Sequence, residues 1–283
     1  MGINGGTGIV GSGAALGGSG IHINRGGGGG FDPDAQAFID AVGADATISE
    51  YINTMFLGMK GEGTTNGTNF YSKLRAVYPM SPSDASTISL STIKWNAVNP
   101  LDTDAAFRLT FVNAPTADLA LGLNNNATPN GYAETHFVDT DEFTAGNNGL
   151  TAYVTRRVSG NGYPIAAEAT LAIRNNASNA YEARSSGQVI TGSVISEGDI
   201  LSQSRRSATD FESYINGVSE GNNATSASGQ TLIQLYLMAR FFGVPRDFLN
   251  GAVGFVAIHD GLTDQETQDL YDVINTWNTN LGR

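Results

Sequence analysis

Asp210-Phe211-Glu212-Ser213-Tyr214-Ile215-Asn216-Gly217 is the stretch whose reading decides the fold. In an extended chain Phe211 and Ile215 fall on one face, because side chains alternate sides with a period of two. Asn216-Gly217 follows directly, and both residues tolerate the positive φ of a type I′ turn. The segment therefore predicts a strand that reverses into a hairpin, which needs further strands beside it to be stable.

Working outward, the period of two extends from about Ser83 to Asp260. Candidate strands are Thr87–Val98, Ala105–Val112, Ala117–Leu123, Tyr132–Val138, Leu150–Arg157, Ala167–Arg174, Gln188–Ile195, Asp199–Arg206, Asp210–Ile215, Leu232–Phe241 and Val253–His259. Loops rich in Asn and Gly separate them. Many short strands joined by turns predict a mainly β chain, a β-sandwich of jelly-roll type.

Helical signatures flank this region. Asp32-Pro33 supplies an N-cap and a first-turn proline, Phe38, Ile39 and Val42 an apolar edge, and Gly43 a stop. Thr47 and Glu50 form a capping-box pattern ahead of Ile48, Ile52, Met55, Phe56 and Met59, one apolar face. A third short helix is expected over Asn69–Tyr78, with Phe70, Leu74 and Val77 inward and Pro79 ending it. At the other end Thr263 and Glu266 make a capping box, and Leu270, Ile274, Trp277 and Leu281 recur at helical spacing until Gly282. Burying those four side chains contributes about 6–12 kcal/mol before entropy, so this helix packs on the sandwich.

Residues 1–30 differ in kind: they hold 14 of the 36 glycines and one charge, Arg25. Ordering such a segment costs about 1–2 kcal/mol per residue, and its few isoleucines, valine and leucine do not offset that. The composition predicts an anchoring arm that takes shape through contacts with a neighbouring subunit or larger particle. The expected organisation is an arm at 1–30, a short helical segment at 31–82, and the sandwich with its packing helix at 83–283.

Composition narrows the function. Charged residues make up 15% of the chain and the formal net charge is -12, which argues against a nucleic-acid partner because phosphate neutralisation needs a basic patch. The absence of cysteine excludes disulfides, thiolate metal sites and cysteine nucleophiles. No secretory signal and no apolar run of membrane-spanning length is visible, so membrane insertion is not expected.

Motifs that could carry chemistry are weak. Gly6-Thr7-Gly8-Ile9-Val10-Gly11 matches the dinucleotide pattern, but no strand feeds it and no helix former follows, so it reads as low-complexity coincidence. Asp139 and Asp141, two apart and with Glu142 beside them, could form a carboxylate pair for glycoside hydrolysis, yet they sit in an expected loop ahead of Ala145-Gly146-Asn147-Asn148, where acids are ordinarily solvated. Asp102 and Asp104 could bind calcium, with turn and cap roles favoured. His22, His136 and His259 show no ligand spacing, and His259 beside Asp260-Gly261 is expected to hydrogen-bond at a turn. Sequons at Asn66, Asn126, Asn176 and Asn223 are what an Asn/Thr-rich chain yields by chance. Trp95 and Trp277 read as core. Tyr132, Tyr153, Tyr163 and Tyr181 remain as sugar-stacking candidates. No catalytic, cofactor-binding or metal-ligating residue is assigned, and no cofactor is expected.

Several segments, in the same order, resemble virion proteins, mostly of tail or fibre type, of bacteriophages infecting Bacteroidota-type hosts. They are Phe31-Asp32-Pro33-Asp34-Ala35-Gln36-Ala37-Phe38-Ile39, Lys73-Leu74-Arg75-Ala76-Val77-Tyr78-Pro79-Met80 and Asp104-Ala105-Ala106-Phe107-Arg108-Leu109-Thr110-Phe111. Pro129-Asn130-Gly131-Tyr132-Ala133, Asp260-Gly261-Leu262-Thr263-Asp264 and Leu281-Gly282-Arg283 complete the set. The resemblance implies a concanavalin-like or laminin-G-like jelly roll preceded by short helices, carried on the outside of a phage particle. The expected function is a non-enzymatic virion structural subunit, a homo-oligomer with a trimer as first guess, anchored to other virion proteins through residues 1–30. The alternatives are a carbohydrate-binding module for a host-surface glycan and, behind it, a glycan depolymerase.

Overall fold

The computed structural model describes residues 30–125, 130–144, 146–157, 161–168, 170–227, 230 and 233–283. The arm, the Gly6–Gly11 motif, His22 and the Asn126 sequon lie outside the described residues.

In chain order the elements are α1 (Pro33–Val42), α2 (Ala46–Met59), β1 (Leu74–Pro79), α3 (Leu90–Ile93), β2 (Thr110–Val112), β3 (Thr116–Asp118), β4 (Gly122–Asn124), β5 (Tyr132–Val138) and α4 (Asp139–Glu142). There follow β6 (Asn148–Arg157), β7 (Gly162–Ala166), β8 (Leu171–Asn175), β9 (Ala180–Ser185), β10 (Gln188–Val194), β11 (Asp199–Ser207), β12 (Asp210–Ile215) and β13 (Val218–Asn223). The chain ends with β14 (Gln234–Leu237), β15 (Arg240–Phe242), β16 (Val244–Arg246), β17 (Gly251–His259) and α5 (Asp264–Asn280).

The strands form two antiparallel sheets facing one another. The 8-stranded sheet runs β13-β12-β11-β6-β17-β4-β3, with β1 also on β17, and the 7-stranded sheet runs β10-β9-β8-β7-β14-β5-β2. Leu150, Leu201, Phe211, Val256 and Ile258 from the first sheet meet Phe137, Ile165, Ile173, Tyr181 and Leu237 from the second in one core. The mainly β sandwich with a C-terminal helix is the architecture the alternating sequence predicts. The hairpin at Asn216-Gly217 joins β12 to β13 with φ of 52° and 76°, as the turn chemistry requires.

The outer face of the 8-stranded sheet is sealed by helices. Phe38, Ile52, Phe56, Leu270, Ile274 and Trp277 bury against Tyr153, Ile200, Phe255 and Ala257. Asp32 caps α1 by accepting from the Asp34 and Ala35 N–H groups, and Gly43 ends it at φ 66°. Both halves of the Thr263–Glu266 capping box form at the start of α5. In α2 the cap is Asp45, which accepts from the Ile48 N–H, rather than Thr47. An ionised carboxylate two residues upstream supplies the same acceptor with an added charge term.

Three further expectations are overturned. Asn69–Tyr78 is not a helix: a 3-10 turn at Tyr71–Lys73 leads into β1. Ala76 and Tyr78 face the inter-sheet core while Leu74 and Val77 face the helices, so the strand is buried on both sides. A run apolar on both faces has no readable period. Thr87–Val98 is not a strand: Ser89 caps the short helix α3, and Asn96 then closes the free edge of β1 by side chain. Its Oδ1 accepts from Val77 N at 2.9 Å, and its Nδ2 donates to Arg75 O at 3.2 Å and Ala106 O at 3.1 Å. Ala117–Leu123 is two strands, β3 and β4, reversed at Asp118, whose Oδ1 accepts from Leu121 N at 2.7 Å.

Candidate functional site

Among the described residues the outer face of the 7-stranded sheet carries no helix. The register places Thr110, Glu134, Tyr236, Ala166, Ala172 and Arg184 in one row across it, with Phe111, Ala133, Leu237, Ile165, Ile173 and Ala183 pointing inward beside them. The β15–β16 hairpin folds over this face, held by Phe241 N to Ala167 O at 3.2 Å and by the preceding Met238 N to Pro164 O at 2.9 Å.

Two kinds of side chain gather under and beside the hairpin. The first is aromatic. Tyr132 lies 5.8 Å from Tyr236 and 5.9 Å from Phe248, and Tyr236 stacks on Phe241 at 5.8 Å and 14°. At the hairpin tip Phe242 is 53% exposed and Val244 63% exposed. The guanidinium of Arg246 sits 4.0 Å above the Phe242 ring. Burial pushes the Tyr132 and Tyr236 hydroxyls above the ordinary phenol range, so both stay protonated and able to donate.

The second is charged. Glu182 accepts from Arg174 at 3.1 Å, Arg184 at 2.9 Å and Asn176 at 3.0 Å. Burial alone would raise its carboxyl, and the hydrogen bonds from Arg184 and Asn176 with the two guanidinium charges hold it below the ordinary range. Asp247 takes Arg240 at 2.5 Å and stands 3.8 Å from Arg246. Arg174 and Arg240 both lie on the ring of Tyr163, at 5.7 and 5.1 Å.

Three of the nine described non-glycine residues with left-handed backbone lie in this sheet or its hairpin. His136 holds φ 58° in the middle of β5, and Met238 and Asp247 hold 63° and 51° at the two ends of the hairpin. Left-handed backbone at residues other than glycine costs about 1–3 kcal/mol each and persists only where the surroundings enforce it. His136 Nε2 meets Thr110 Oγ1 at 2.9 Å and Asp104 Oδ1 at 3.5 Å.

The residues singled out by sequence are distributed as follows. Tyr132 and Tyr163 lie on this outer face, Tyr181 is inside the sandwich with its hydroxyl on Ser202 O, and Tyr153 lies under the helices. Trp277 is core as expected; Trp95 is half-buried after α3, with Lys94 Nζ 4.5 Å over its ring. His259 Nδ1 donates to Asp260 O at 2.7 Å, the turn role expected for it. Asp139 is buried and takes the Gln230 amide at 3.2 Å, whereas Asp141 is exposed, so the two are not presented together. Asp102 binds Lys94 and Arg108, and Asp104 binds Arg108. Among the described residues no three His, Asp or Glu side chains gather as a metal-ligand set.

A groove of about 900 Å³ opens at the other sheet, between the β3–β4 turn and the end of α5, lined by Leu119, Leu121, Tyr153 and Arg283. The Arg283 guanidinium is committed there to Leu119 O and Ser81 Oγ, which pins the end of the helix layer.

Sequence reading missed the arginine–carboxylate groups and the hairpin. The signal was present in Tyr181-Glu182-Ala183-Arg184, an alternation with its charges on one face, and in Arg240-Phe241-Phe242-Gly243-Val244-Pro245-Arg246, two short strands about a glycine.

No protein-family model matches the chain, and no curated protein matches it. Solved structures do share its fold. A mutant of Trypanosoma rangeli sialidase displaying trans-sialidase activity aligns at TM-score 0.53 and 14% identity, covering 86% of this chain and 39% of the sialidase. T. rangeli sialidase in complex with sialic acid aligns at TM-score 0.51 and 14% identity, covering 79% and 38%. Domain 4 of the extracellular GH43 arabinanase AbnA of Geobacillus stearothermophilus, in complex with arabinotriose, gives 0.41 and 13%, covering 70% and 98%. The chain thus spans about two fifths of the length of the sialidases it matches. At these identities the likeness is one of fold.

Proposed function

We propose that residues 31–283 are a non-catalytic carbohydrate-binding β-sandwich that takes a cell-surface glycan on the outer face of the 7-stranded sheet. The observation that carries this reading is the combination on one helix-free face of an exposed aromatic platform, Phe242 under Arg246, with phenol hydroxyls and fixed guanidinium donors beside it. Sugar rings present apolar C–H faces that stack on aromatic rings, and hydroxyl edges that pair with planar donors and acceptors. The fold shared with T. rangeli sialidase crystallised with sialic acid supports the same reading. A glycan array run with and without calcium tests it: the intact chain is retained by a surface polysaccharide, and Phe242→Ala abolishes retention while the protein stays folded. Absence of retention by any polysaccharide overturns the reading. Release of reducing ends from the bound polymer overturns the non-catalytic part.

The second reading is a virion component, anchored through residues 1–30 and displayed as a homo-oligomer, and it can coexist with the first. What favours it is that the segments resembling phage proteins meet in space. Arg75 is bidentate on Asp260 at 3.0 and 2.9 Å, and Phe111 pairs with Ala133. Mass spectrometry of purified particles tests it, with deletion of residues 1–30 expected to yield a folded domain that no longer joins them. Absence of the chain from particles overturns it.

A further inference from the structure

The arginines of the outer face are not neutralised one for one. Glu182 is shared between Arg174 and Arg184, and Asp247 between Arg240 and Arg246, so each trio keeps a net charge of one positive unit. Tyr163 joins the two trios, because its ring carries Arg174 from one and Arg240 from the other. The result is a row of four arginines against Glu182 and Asp247, with Glu134 beside Tyr236 on the same face, on a chain whose formal net charge is -12.

Donor capacity is open to a ligand chiefly at Arg246, whose side chain is 44% exposed, with its guanidinium 4.0 Å from the Phe242 ring centre and its Nε 3.8 Å from Asp247. Arg174, Arg184 and Arg240 are each about one fifth exposed and held by their carboxylates. A guanidinium presents donors in a planar fork that matches a carboxylate or sulfate with two parallel hydrogen bonds. A neutral sugar hydroxyl uses only part of that geometry and none of the charge.

We infer that the glycan bound at this face is acidic, carrying carboxylate or sulfate groups that lie along the Arg184–Arg174–Tyr163–Arg240–Arg246 strip while a sugar ring stacks on Phe242. This rests on the carbohydrate-binding reading above and narrows it to one ligand class. The rest of the acidic surface repels polyanions, so binding of one is confined to the strip and weakens as salt rises.

Isothermal calorimetry of the full chain against four polymers provides the test: a polyuronate, the same polymer with its carboxyls reduced to alcohols, a sulfated polysaccharide, and polyglutamate. The polyuronate is expected to bind about tenfold or more tightly than its reduced form, and to lose affinity with added salt. Polyglutamate is expected not to bind. Arg246→Ala, on an exposed side chain that leaves the fold intact, lowers polyuronate affinity about tenfold, and Arg246→Lys recovers only part of it because the fork is gone. Equal affinity for the polyuronate and its reduced form overturns the inference and leaves the carbohydrate reading standing. Polyglutamate binding as tightly as the polyuronate overturns it as well, since the strip would then read charge without sugar. Failure of the polyuronate and of a sulfated polysaccharide to bind overturns the inference, while the carbohydrate reading is decided by the glycan array.

Discussion

Phe255 and Ala257 leave the outer side of β17 and disappear under three helices, whereas Tyr236, on the outer side of the other sheet, meets Tyr132 beside it and Phe241 of the β15–β16 hairpin. Both faces contain aromatic residues, but among the described residues only the first is closed by α1, α2 and α5. The second keeps an exposed phenylalanine, strained backbone and four arginines in shared pairs. The helical side is built for packing, and under the carbohydrate-binding proposal recognition belongs to the open side. Substitutions on the two faces should therefore separate cleanly.

The largest separation is expected at Trp277, which is 1% exposed in the helix layer. Trp277→Ala should cost about 3–5 kcal/mol by removing a large buried side chain, read as a fall in urea midpoint at unchanged slope. Its Nε1–H is buried without an acceptor among the described residues, so Trp277→Phe should keep most of the stability that Trp277→Ala loses. Equal losses in the two variants would break the assignment of this face to packing.

Acid should act on the same side. His259 is fully buried, and its desolvation lowers its pKa from 6.5 to about 4, against the opposing pull of its hydrogen bond to Asp260. The unfolded chain therefore binds a proton that the folded chain refuses between these values. The contribution is complete above pH 6.5, declines as pH falls towards about 4, and amounts to about 3 kcal/mol. The carboxylates with lowered pKa, such as Asp269 and Glu266, begin to lose their contribution only as pH falls past their ordinary values of 3.8 and 4.5, so above about pH 5 the decline belongs to His259. Urea midpoints measured from pH 7 to about 5 should fall in the native chain and stay nearly level in His259→Gln.

Asn96 sharpens the comparison at a smaller scale. Removing its amide leaves Val77 N, Arg75 O and Ala106 O without their partner at the buried edge of β1. Asn96→Ala should cost about 2 kcal/mol, in the range for orphaned buried polar groups. Hydrogen exchange should localise the loosening to β1, with glycan binding intact.

The same contrast explains what the sequence disclosed. Strands with one face in the core and one in solvent, such as Tyr132–Val138 and Asp210–Ile215, alternate and are legible in register and extent. Leu74–Pro79 is apolar on both sides because sheet and helices both cover it, so its period was masked and Phe70, Leu74 and Val77 imitated a helix. Arg174, Glu182 and Arg184 were invisible as a group because they come from two strands whose pairing is a tertiary fact. Tyr132 and Tyr163 stood out as aromatic residues, but only the β14–β5 pairing brings Tyr236 to Tyr132, and only the folded hairpin lays Phe241 on Tyr236.

The smallest change in stability should accompany the largest change in binding. Phe242 projects from the hairpin tip, 53% exposed, with Arg246 4.0 Å and Arg240 5.8 Å from its ring centre, so Phe242→Ala removes little buried area. Exposed substitutions of this kind shift stability by about 0.5 kcal/mol or less. A sugar stacked on that ring would nonetheless lose its apolar contact outright. Thermal melts of Phe242→Ala should overlay those of the native chain while polysaccharide retention disappears. A melt displaced as far as that of Trp277→Ala would mean the hairpin is a structural cover for Tyr132 and Tyr236 and not the edge of a site, and the division of labour between the two faces would fail.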